Sequence, residues 1–369
     1  MKPEIGRAET DADRKAVFRL RYDIYVEEMG RYGSIADHQN RLLVEPDDAL
    51  SRLYYARDEE GRTVGTMRLT WGGDAEFSDR HVEQYGLARF LEQVPRQQVI
   101  VGERFMVTAE QRGTDLVFRM FKQYLELVAD KRVQLMFGDC EPHLLNLYMG
   151  MGFRTYSSTN VNSPETGYLI PLVMVPEDLA YMRAIGSGLV SMLPDFGADS
   201  HLPACLDELL GDHGAVVSSA LSNKQRYGAD IDQALELSQN PLHLFDGLDE
   251  GEEERCLAKS NTIDCQQGDH LIKEGNVAHN MFVVLDGLLE VRVEDEVVAV
   301  CTSGDVVGEM AFILESPRSA DVYAAQDGTR VLSLSESALR QLMAEDPTAA
   351  SKLLLNLSKL LCHKLLRMN

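Results

Sequence analysis

The sequence predicts an α+β protein in which a mixed-sheet domain precedes a helical connector and a C-terminal β-roll with flanking helices. Three observations lead to this prediction. Strand-like and helix-like segments alternate over residues 1–175, apolar runs become short and helical over 176–244, and short glycine-separated strands fill 245–369. The chain of 369 residues is long enough for this division into domains.

The composition restricts the class of protein. Apolar residues make up 44% of the chain and charged residues 26%, which is typical of globular proteins. The six cysteines form no C-x-x-C pair, so we expect reduced thiols in a cytoplasmic setting and no metal centre. We expect neither a signal peptide nor a membrane span. The net charge of −23 makes nucleic acid a poor partner.

Hydrophobic periodicity predicts the elements of the first domain. Apolar positions at helical spacing predict a helix over Leu116–Lys131, and a second, shorter helix is expected over 142–149 before Gly150 and Gly152. The expected strands are Thr63–Trp71, 98–107, 134–137 and 168–175, the last interrupted by Pro171.

The later segments differ in the spacing of their apolar residues and glycines. Apolar spacing predicts a short helical run over 202–210 in the connector. Glycines then recur between short strands from Gly268 to Gly328, which favours a β-barrel or β-roll. A long helix over Pro347–Arg367 follows, and its leucines form an apolar stripe.

Residues 304–325 carry the pattern of an anion site. A glycine before a short helix leaves backbone N–H groups that can hold a phosphate. Arg318 can donate two parallel hydrogen bonds to phosphate oxygens, and Glu309 can accept one from a ribose hydroxyl.

This segment closely resembles the phosphate-binding cassette of the cyclic-nucleotide-binding family, and about 125 residues share the resemblance. It implies that Glu309 contacts the ribose hydroxyl and Arg318 the cyclic phosphate, with cAMP favoured over cGMP. Glu315 stands where family members often have glycine. The candidate nucleotide-binding residues are Gly308, Glu309, Met310, Ala311, Arg318 and Ser319. Two alternatives stay open: a β-roll that has lost its ligand, and a simple surface ion pair between Glu309 and Arg318.

A second pattern lies in the first domain. Residues 107–113 place a strand end and an Arg-Gly turn before a helix start, where free N–H groups can receive a pyrophosphate. Tyr148 lies on the helix that ends at Gly150-Met151-Gly152-Phe153. Together these features resemble the GNAT acyltransferase superfamily. The resemblance implies that the turn holds the acyl donor and that Tyr148 protonates the leaving thiolate. The candidate donor-binding residues are Val107, Gln111, Arg112, Gly113 and Thr114.

A narrower resemblance links the first domain to autoinducer synthases and long-chain N-acyl amino acid synthases, which acylate the α-amine of a small metabolite. It rests on residues 19–29, Asp47-Asp48, 65–69, 103–107 and 140–145. The candidate substrate-binding residues are Arg21, Arg68 and Arg104. For Arg21 and Arg68 the alternative is a solvated or paired surface charge.

Acyl transfer to an amine needs a base, an acid for the leaving group, and an N–H group that polarises the thioester carbonyl. We expect Glu103 to be the base, directly or through water, with His143 as the second candidate. The alternatives are a salt bridge from Glu103 to Arg68 or Arg104, a backbone contact for His143, and core packing for Tyr148.

These features predict an N-acyltransferase that moves an acyl group from acyl-CoA or acyl carrier protein to a small amine, under control of a cyclic nucleotide. Two other classes stay open: a cyclic-nucleotide-regulated protein lysine acetyltransferase, and a non-catalytic sensor. The sequence leaves open whether the protein forms a homodimer.

Overall fold

The structure is a computed structural model that describes residues 3–193, 202–206, 216–218, 224–236 and 242–367. The chain divides into two compact units. Unit 1 comprises Met1–Cys140, Leu147–Tyr156 and Pro171–Asp212, and unit 2 comprises Glu141–Asn146, Ser157–Ile170 and His213–Asn369. The predicted α+β class, with a mixed sheet followed by antiparallel sheets and flanking helices, is confirmed.

The first part of the chain forms eight strands and six α-helices among its described residues. The strands are β1 (Glu4–Arg7), β2 (Arg52–Arg57), β3 (Thr63–Trp71), β4 (Val99–Val107), β5 (Leu135–Cys140), β6 (Phe153–Thr155), β7 (Val161–Ser163) and β8 (Gly167–Met174). The helices are α1 (Asp11–Arg21), α2 (Asp79–Gln84), α3 (Leu87–Leu91), α4 (Leu116–Lys131), α5 (Leu145–Met151) and α6 (Leu179–Ala184). Shorter turns are a π-helix at Tyr22–Glu28 and 3₁₀-helices at Pro46–Leu50, Arg96–Gln98, Ala109–Gln111, Pro142–Leu144 and Val190–Met192.

The mixed sheet has the strand order β1-β2-β3-β4-β5-β8-β6, and β7 pairs with β8. Strands β4 and β5 pair in parallel, whereas β1 to β4 form an antiparallel meander. The strand predicted over 168–175 runs through Pro171 without interruption, contrary to the expectation. The helix predicted over 142–149 begins instead as a 3₁₀ turn and ends at Met151.

The later part of the chain is built from short antiparallel strands and helices. The strands are β9 (Val216–Ser218), β10 (Asn261–Cys265), β11 (His270–Ile272), β12 (Asn280–Asp286), β13 (Leu289–Val293), β14 (Glu296–Cys301), β15 (Val306–Val307), β16 (Asp321–Ala324) and β17 (Thr329–Ser335). The helices are α7 (Lys224–Glu236), α8 (Glu250–Leu257), α9 (Glu309–Leu314), α10 (Glu336–Glu345) and α11 (Pro347–Arg367). Two sheets, with orders β15-β12-β17-β10-β9 and β11-β16-β13-β14, form the predicted roll.

Helix α11 has the predicted bounds. Its Leu353, Leu357 and Leu360 are buried in a core cluster that also contains Tyr227 and Ile231 of α7. The apolar stripe therefore packs within unit 2 rather than facing solvent. Of the run predicted over 202–210, only 202–206 fall within the described residues. Within the described parts of the chain, no helix combines the length and apolar character that crossing a membrane requires.

Candidate functional sites

Strand β4 carries Glu103 and Arg104 at a β-bulge. The register with β3 shifts between Thr66 and Arg68, and Arg104 has a φ of 54°, in the left-handed region. Adjacent strand residues normally point to opposite faces, and a bulge changes that direction. Here Glu103 bonds to Arg68, while Arg104 bonds to Glu45, which is itself bonded to Arg68. The bulge thus allows two neighbouring side chains to join one buried network.

Strands β4 and β5 separate close to this bulge. Their parallel ladder pairs Val99–Val101 with Leu135–Phe137 and covers three residue pairs. From Gly102 onward the two strands are no longer paired with each other, although β4 continues to Val107 and β5 to Cys140. Glu103 on β4 and Asp139 on β5 lie directly after this point.

The Glu103 network is a set of charged and polar side chains of unit 1 joined by hydrogen bonds. Its members are Arg21, Glu45, Asp47, Asp48, Arg68, Arg80, His81, Gln84, Tyr85, Glu103, Arg104 and Asp139. At its centre Arg68 Nη2 lies 2.8 Å from Glu103 Oε2, and Arg68 Nη1 lies 3.1 Å from an oxygen of Asp48. Buried charges are tolerated only when they are paired in this way.

Arg21 and Arg68 are both fully buried, so the alternative of a solvated surface charge is wrong for both. Arg21 Nη1 donates to Asp48 over 2.7 Å. Arg21 Nε and Nη2, and Arg68 Nε, are buried without a hydrogen-bond acceptor in the structure. Since buried donors are normally paired, these N–H groups are suited to an anionic group such as a carboxylate.

Helix α2 supplies network members that the sequence did not reveal. Ser78 caps this helix by accepting from the His81 N–H, and the first turn presents Arg80 and His81 to Glu103. His81 Nε2 lies 3.0 Å from Glu103 Oε2, and Arg80 Nη2 lies 2.8 Å from Glu103 Oε1. Tyr85, at the end of the helix, contacts Glu103 from the same side. A six-residue polar helix has too little periodicity to signal such a role.

Opposing effects set the protonation states of three of the five acids in the network. Burial alone would raise the pKa of Glu103, but Arg68, His81 and Arg80 hold the pKa of that carboxyl well below its usual range. For Glu45 burial is likewise outweighed, chiefly by Arg104, and its pKa falls to about 2. Asp139 differs, because burial and the neighbouring Glu103 raise the pKa of Asp139. The network therefore contains carboxylates of unequal basicity.

Asp47, His81 and Glu103 have ligand-type atoms within 4.8 Å of one another, a spacing that a metal ion could bridge. The guanidinium of Arg80 donates to Asp47 and Glu103, however. A cation already neutralises this cluster, so we assign it to the ion-pair network.

The turn predicted to hold the acyl donor is exposed. Gly113 has a φ of 77°, which favours glycine, and Thr114 Oγ1 donates to the Gln111 carbonyl. Arg112 lies on the surface and its Nη2 is 2.5 Å from an oxygen of Glu28. Val107, at the end of β4, is buried instead.

The other two candidate catalytic residues belong to different units. Tyr148 is half-buried in unit 1 and its ring meets that of Phe153 edge-on at 5.4 Å. His143 falls in unit 2, where its Nδ1 lies 3.8 Å from Glu141 and its ring is 5.8 Å from that of His279.

The segment before α9 in unit 2 brings Gly308 and Arg318 into contact. Arg318 is buried, and its Nη1 donates to the Gly308 carbonyl over 2.6 Å. Its Nη2 donates to the carbonyl and the side-chain oxygen of Asn280. Gly308 has a φ of 79°, and an added Cβ would lie 2.5 Å from Arg318 Nη1. Only glycine fits there, and Arg318 is not paired with Glu309, contrary to the surface-pair alternative.

Glu309 is buried, and its partner is Lys364 near the end of α11, with Lys364 Nζ 2.8 Å from Glu309 Oε1. Lys364 also donates to the Val306 carbonyl. Neighbouring Ala311 is buried, whereas Met310 and Ser319 are exposed.

Glu315 ends α9 with a φ of 52°, in the left-handed region, and bonds to Arg340. This conformation explains why glycine suits the position.

Two family models match the chain. Residues 16–173 match the model described as N-acyl amino acid synthase FeeM, and residues 262–346 match the model described as cyclic nucleotide-binding domain. The resemblances to N-acyl amino acid synthases and to the cyclic-nucleotide-binding family are thereby confirmed. The chain contains an acyltransferase-like synthase domain followed by a cyclic-nucleotide-binding domain.

Similar proteins share only part of their length with this chain. Glutaminase 1 of Bradyrhizobium diazoefficiens is 32% identical over 39% of this chain and 23% of its own length. The Pycsar effector protein XpPycTIR of Xanthomonas perforans is 38% identical over 23% of this chain and 28% of its own. The chain thus spans about a quarter of the curated relatives it matches. A structure of BjaI, a CoA-dependent acyl-homoserine lactone synthase, is 18% identical over 50% of this chain and 86% of that chain, with a TM-score of 0.37.

Proposed function

We propose that the synthase domain is a GNAT-like N-acyltransferase that moves an acyl group from acyl-CoA or acyl carrier protein to the amine of a small metabolite or amino acid, and that a cyclic nucleotide, preferably cAMP, regulates it. The observation that carries the proposal is the Glu103 network. It lies where β4 and β5 separate, in the part of the chain that matches the synthase family.

The charges of the network suit an amino acid as the acceptor. Such a substrate has a carboxylate and an ammonium group, and the network contains both guanidinium and carboxylate groups to bind them. Arg21, Arg68 and Arg104 serve the carboxylate, and the unpartnered N–H groups of Arg21 and Arg68 support this assignment. Glu103 serves the amine.

We assign the chemical steps to the candidate residues of the sequence. Glu103 removes a proton from the amine directly or through a bound water, and Tyr148 protonates the departing thiolate. His143 is the second candidate for the base. The separated part of β4 can supply the N–H group that polarises the thioester carbonyl.

The acyl donor enters over the exposed turn of Gln111, Arg112, Gly113 and Thr114, next to Val107. A surface arginine whose partner is the exposed Glu28 can exchange that partner for a phosphate of the donor at little cost, which supports this site.

The nucleotide site follows from the buried Arg318 and Glu309. Arg318 binds the cyclic phosphate and Glu309 the ribose hydroxyl, with Gly308, Met310, Ala311 and Ser319 around them. The buried guanidinium, already oriented by Asn280 and Gly308, supports an anionic ligand. One relative, of which this chain covers 21%, is a cAMP-dependent protein kinase regulatory subunit of Mycosarcoma maydis, which supports cAMP.

The proposed domain limits are 1–175 for the acyltransferase, 176–244 for the connector and 245–369 for the nucleotide-binding domain. The cysteine pattern of the sequence, six cysteines without a C-x-x-C pair, favours a cytoplasmic location. Acyl carrier protein and a second copy of the chain are the further partners to be tested.

Mass spectrometry of lipid extracts from cells that overproduce the protein tests the acyltransferase. We expect N-acyl amino acids that are absent from cells making the Glu103→Gln variant. Extracts without any N-acylated metabolite, together with acylated lysines on cellular proteins, would contradict the proposal in favour of a protein acetyltransferase. Hydrolysis of acyl-CoA by purified protein, measured with and without free amino acids, completes the test.

Titration of the transfer assay with cAMP and cGMP tests the regulation. A ligand changes activity only through different affinities for two states, and coupling of this kind typically amounts to roughly 5–150-fold. We expect cAMP to change the rate several-fold in the wild type and to have no effect on Arg318→Lys, because lysine cannot make the forked phosphate contact. Binding of cAMP without any change in rate would contradict the regulation.

A further inference from the structure

Tyr85 connects two carboxyl groups at the point where β4 and β5 separate. Its hydroxyl lies 2.7 Å from Asp139 Oδ2 and 3.2 Å from Glu103 Oε1. Gln84 Nε2 donates to the same Asp139 oxygen over 2.6 Å. Asp139 is partly exposed, whereas Glu103 and Tyr85 are buried.

A phenol has one hydrogen to donate, so it cannot donate to both carboxylates at once. The shorter distance assigns this hydrogen to Asp139, while the phenol oxygen lies 3.2 Å from Glu103 Oε1. Glu103 already accepts from Arg68, Arg80 and His81, which favour its ionised form. In the resting site an ionised Asp139 therefore accepts from Tyr85, and the phenol oxygen can accept a proton that Glu103 receives.

The same contacts make Glu103 a weak base, since three cationic or donor groups compete for its lone pairs. A proton that it receives from an ammonium group is soon lost to a more basic acceptor. We infer that Asp139 is a further catalytic residue, the final proton acceptor of the acyl-transfer site, and that the Tyr85 hydroxyl passes the proton to it from Glu103. This inference rests on the proposed acyltransferase function.

The proton balance is as follows. The bound ammonium loses one proton to Glu103, Glu103 passes a proton to the Tyr85 oxygen, and Tyr85 passes its own to ionised Asp139. The neutral amine then forms the N–C bond with the thioester carbonyl, and the C–S bond breaks with its electron pair on sulfur. The second amine proton ends on the thiolate. Asp139, being partly exposed, releases the first proton to water before the next turnover.

Glu103, Arg104 and three tyrosines interact electrostatically with Asp139, and the pKa of each is shifted away from neutral pH. The acid Glu103 has a lowered pKa, and Arg104 has a pKa raised well above its usual value. Burial raises the pKa values of Tyr32, Tyr85 and Tyr156. The pKa of Asp139 is raised by burial and by the charge of Glu103. Among these groups, only Asp139 can then give the pH–rate profile an acid limb above the usual carboxyl range.

Asp139→Asn keeps the size of the side chain and removes the acid. We expect kcat to fall about 10²–10⁴-fold, with little change in KM for the acyl donor. Asp139→Glu should restore much of kcat with a displaced acid limb. Tyr85→Phe keeps Asp139 but interrupts the path, and its kcat should fall about tenfold or more. An unchanged pH profile and kcat in Asp139→Asn, or in Tyr85→Phe if that variant alone folds, would overturn the inference.

A second measurement does not depend on turnover. Infrared difference spectra of wild type minus Asp139→Asn should show the carbonyl band of a protonated carboxyl, which disappears as the pH rises. Its absence would overturn the inference even if transfer occurs. A wild type that shows the band but transfers no acyl group would instead contradict the proposed function alone.

Discussion

The ammonium group of Lys364 lies 2.8 Å from the carboxylate of Glu309, which is the residue proposed to hold the ribose of the nucleotide. Lys364 of the terminal helix α11 thus occupies the carboxylate that would accept a hydrogen bond from the ribose hydroxyl. The side chain of Glu309 is 8% exposed and that of Lys364 is 32% exposed, so this ion pair is only partly screened by water.

Lys364→Gln should therefore tighten nucleotide binding. The ribose hydroxyl must displace Lys364 from Glu309, and a partly exposed ion pair is worth about 0.2–1 kcal/mol. We expect roughly two- to fivefold tighter cAMP binding by calorimetry. Lys359→Gln, an exposed change on the same helix, is the control and should bind as the wild type does. Equal or weaker binding by Lys364→Gln would show that the pair does not compete with the ligand.

Arg112→Glu should weaken acyl-donor binding and leave the fold intact, because Arg112 lies on an exposed turn. Reversing one charge beside a phosphate should cost at least about 1 kcal/mol, or roughly fivefold in affinity. Calorimetry with acyl-CoA measures the loss. Arg62→Glu, at another exposed position, is the matched control. Unaltered donor binding in Arg112→Glu would place the donor elsewhere.

Tyr148→Phe removes one hydroxyl and keeps the ring that packs on Phe153. If the hydroxyl protonates the thiolate, kcat should fall about 10²–10⁴-fold while the donor affinity stays the same. Single-turnover kinetics separates these two quantities. A variant with the kcat of the wild type would assign Tyr148 to packing.

Asp48→Asn should destabilise the synthase domain strongly. Asp48 is bonded to Arg21 and Arg68, both fully buried, and the change leaves two buried cations with one anionic partner fewer. Breaking a buried pair typically costs about 3–5 kcal/mol. Urea unfolding should show a lower midpoint than for Glu60→Gln, an exposed control. A decrease in the free energy of unfolding of less than about 1 kcal/mol would mean that the network rearranges to compensate for the lost carboxylate.

Acid should unfold the synthase domain through its lowered carboxyls. The pKa of Glu45 falls to about 2 and that of Glu103 is well below its usual value, so both favour folding above the ordinary pKa of 4.5. This stabilisation is lost as the pH falls from about 4.5 towards 2, because the unfolded chain binds the protons first. Thermal unfolding at successive pH values should show Tm declining through that window, and less steeply in Glu45→Gln. A parallel decline in both proteins would contradict the assignment.

The sequence revealed the nucleotide cassette because its chemistry is local. Glu309 and Arg318 lie within one short segment, and the glycine before them marks a left-handed turn at which an added Cβ would meet Arg318. Lys364 could not be found in that way, since it is 55 residues from Glu309 and meets it only through the packing of α11. Its long side chain gave no periodic signal.

The Glu103 network was only partly accessible from the sequence. Arg21, Arg68, Glu103 and Arg104 were candidates by resemblance, but their common burial depends on the register of β3 and β4 and on the bulge between them. The contribution of α2 was missed altogether. A pattern of two or three polar residues in a six-residue helix does not show which strand that helix will face.

The short ladder between β4 and β5 has a consequence for solvent exchange. The backbone N–H groups of a strand point alternately to its two neighbouring strands. About half of the N–H groups of β4 after Val101 therefore point away from β3 and towards β5, which no longer pairs with them. Such amides should exchange with deuterium much faster than those of Val99–Val101. A bound acyl donor that accepts a hydrogen bond there would slow the exchange of individual amides, and the residue-by-residue pattern of protection would locate its carbonyl along the strand.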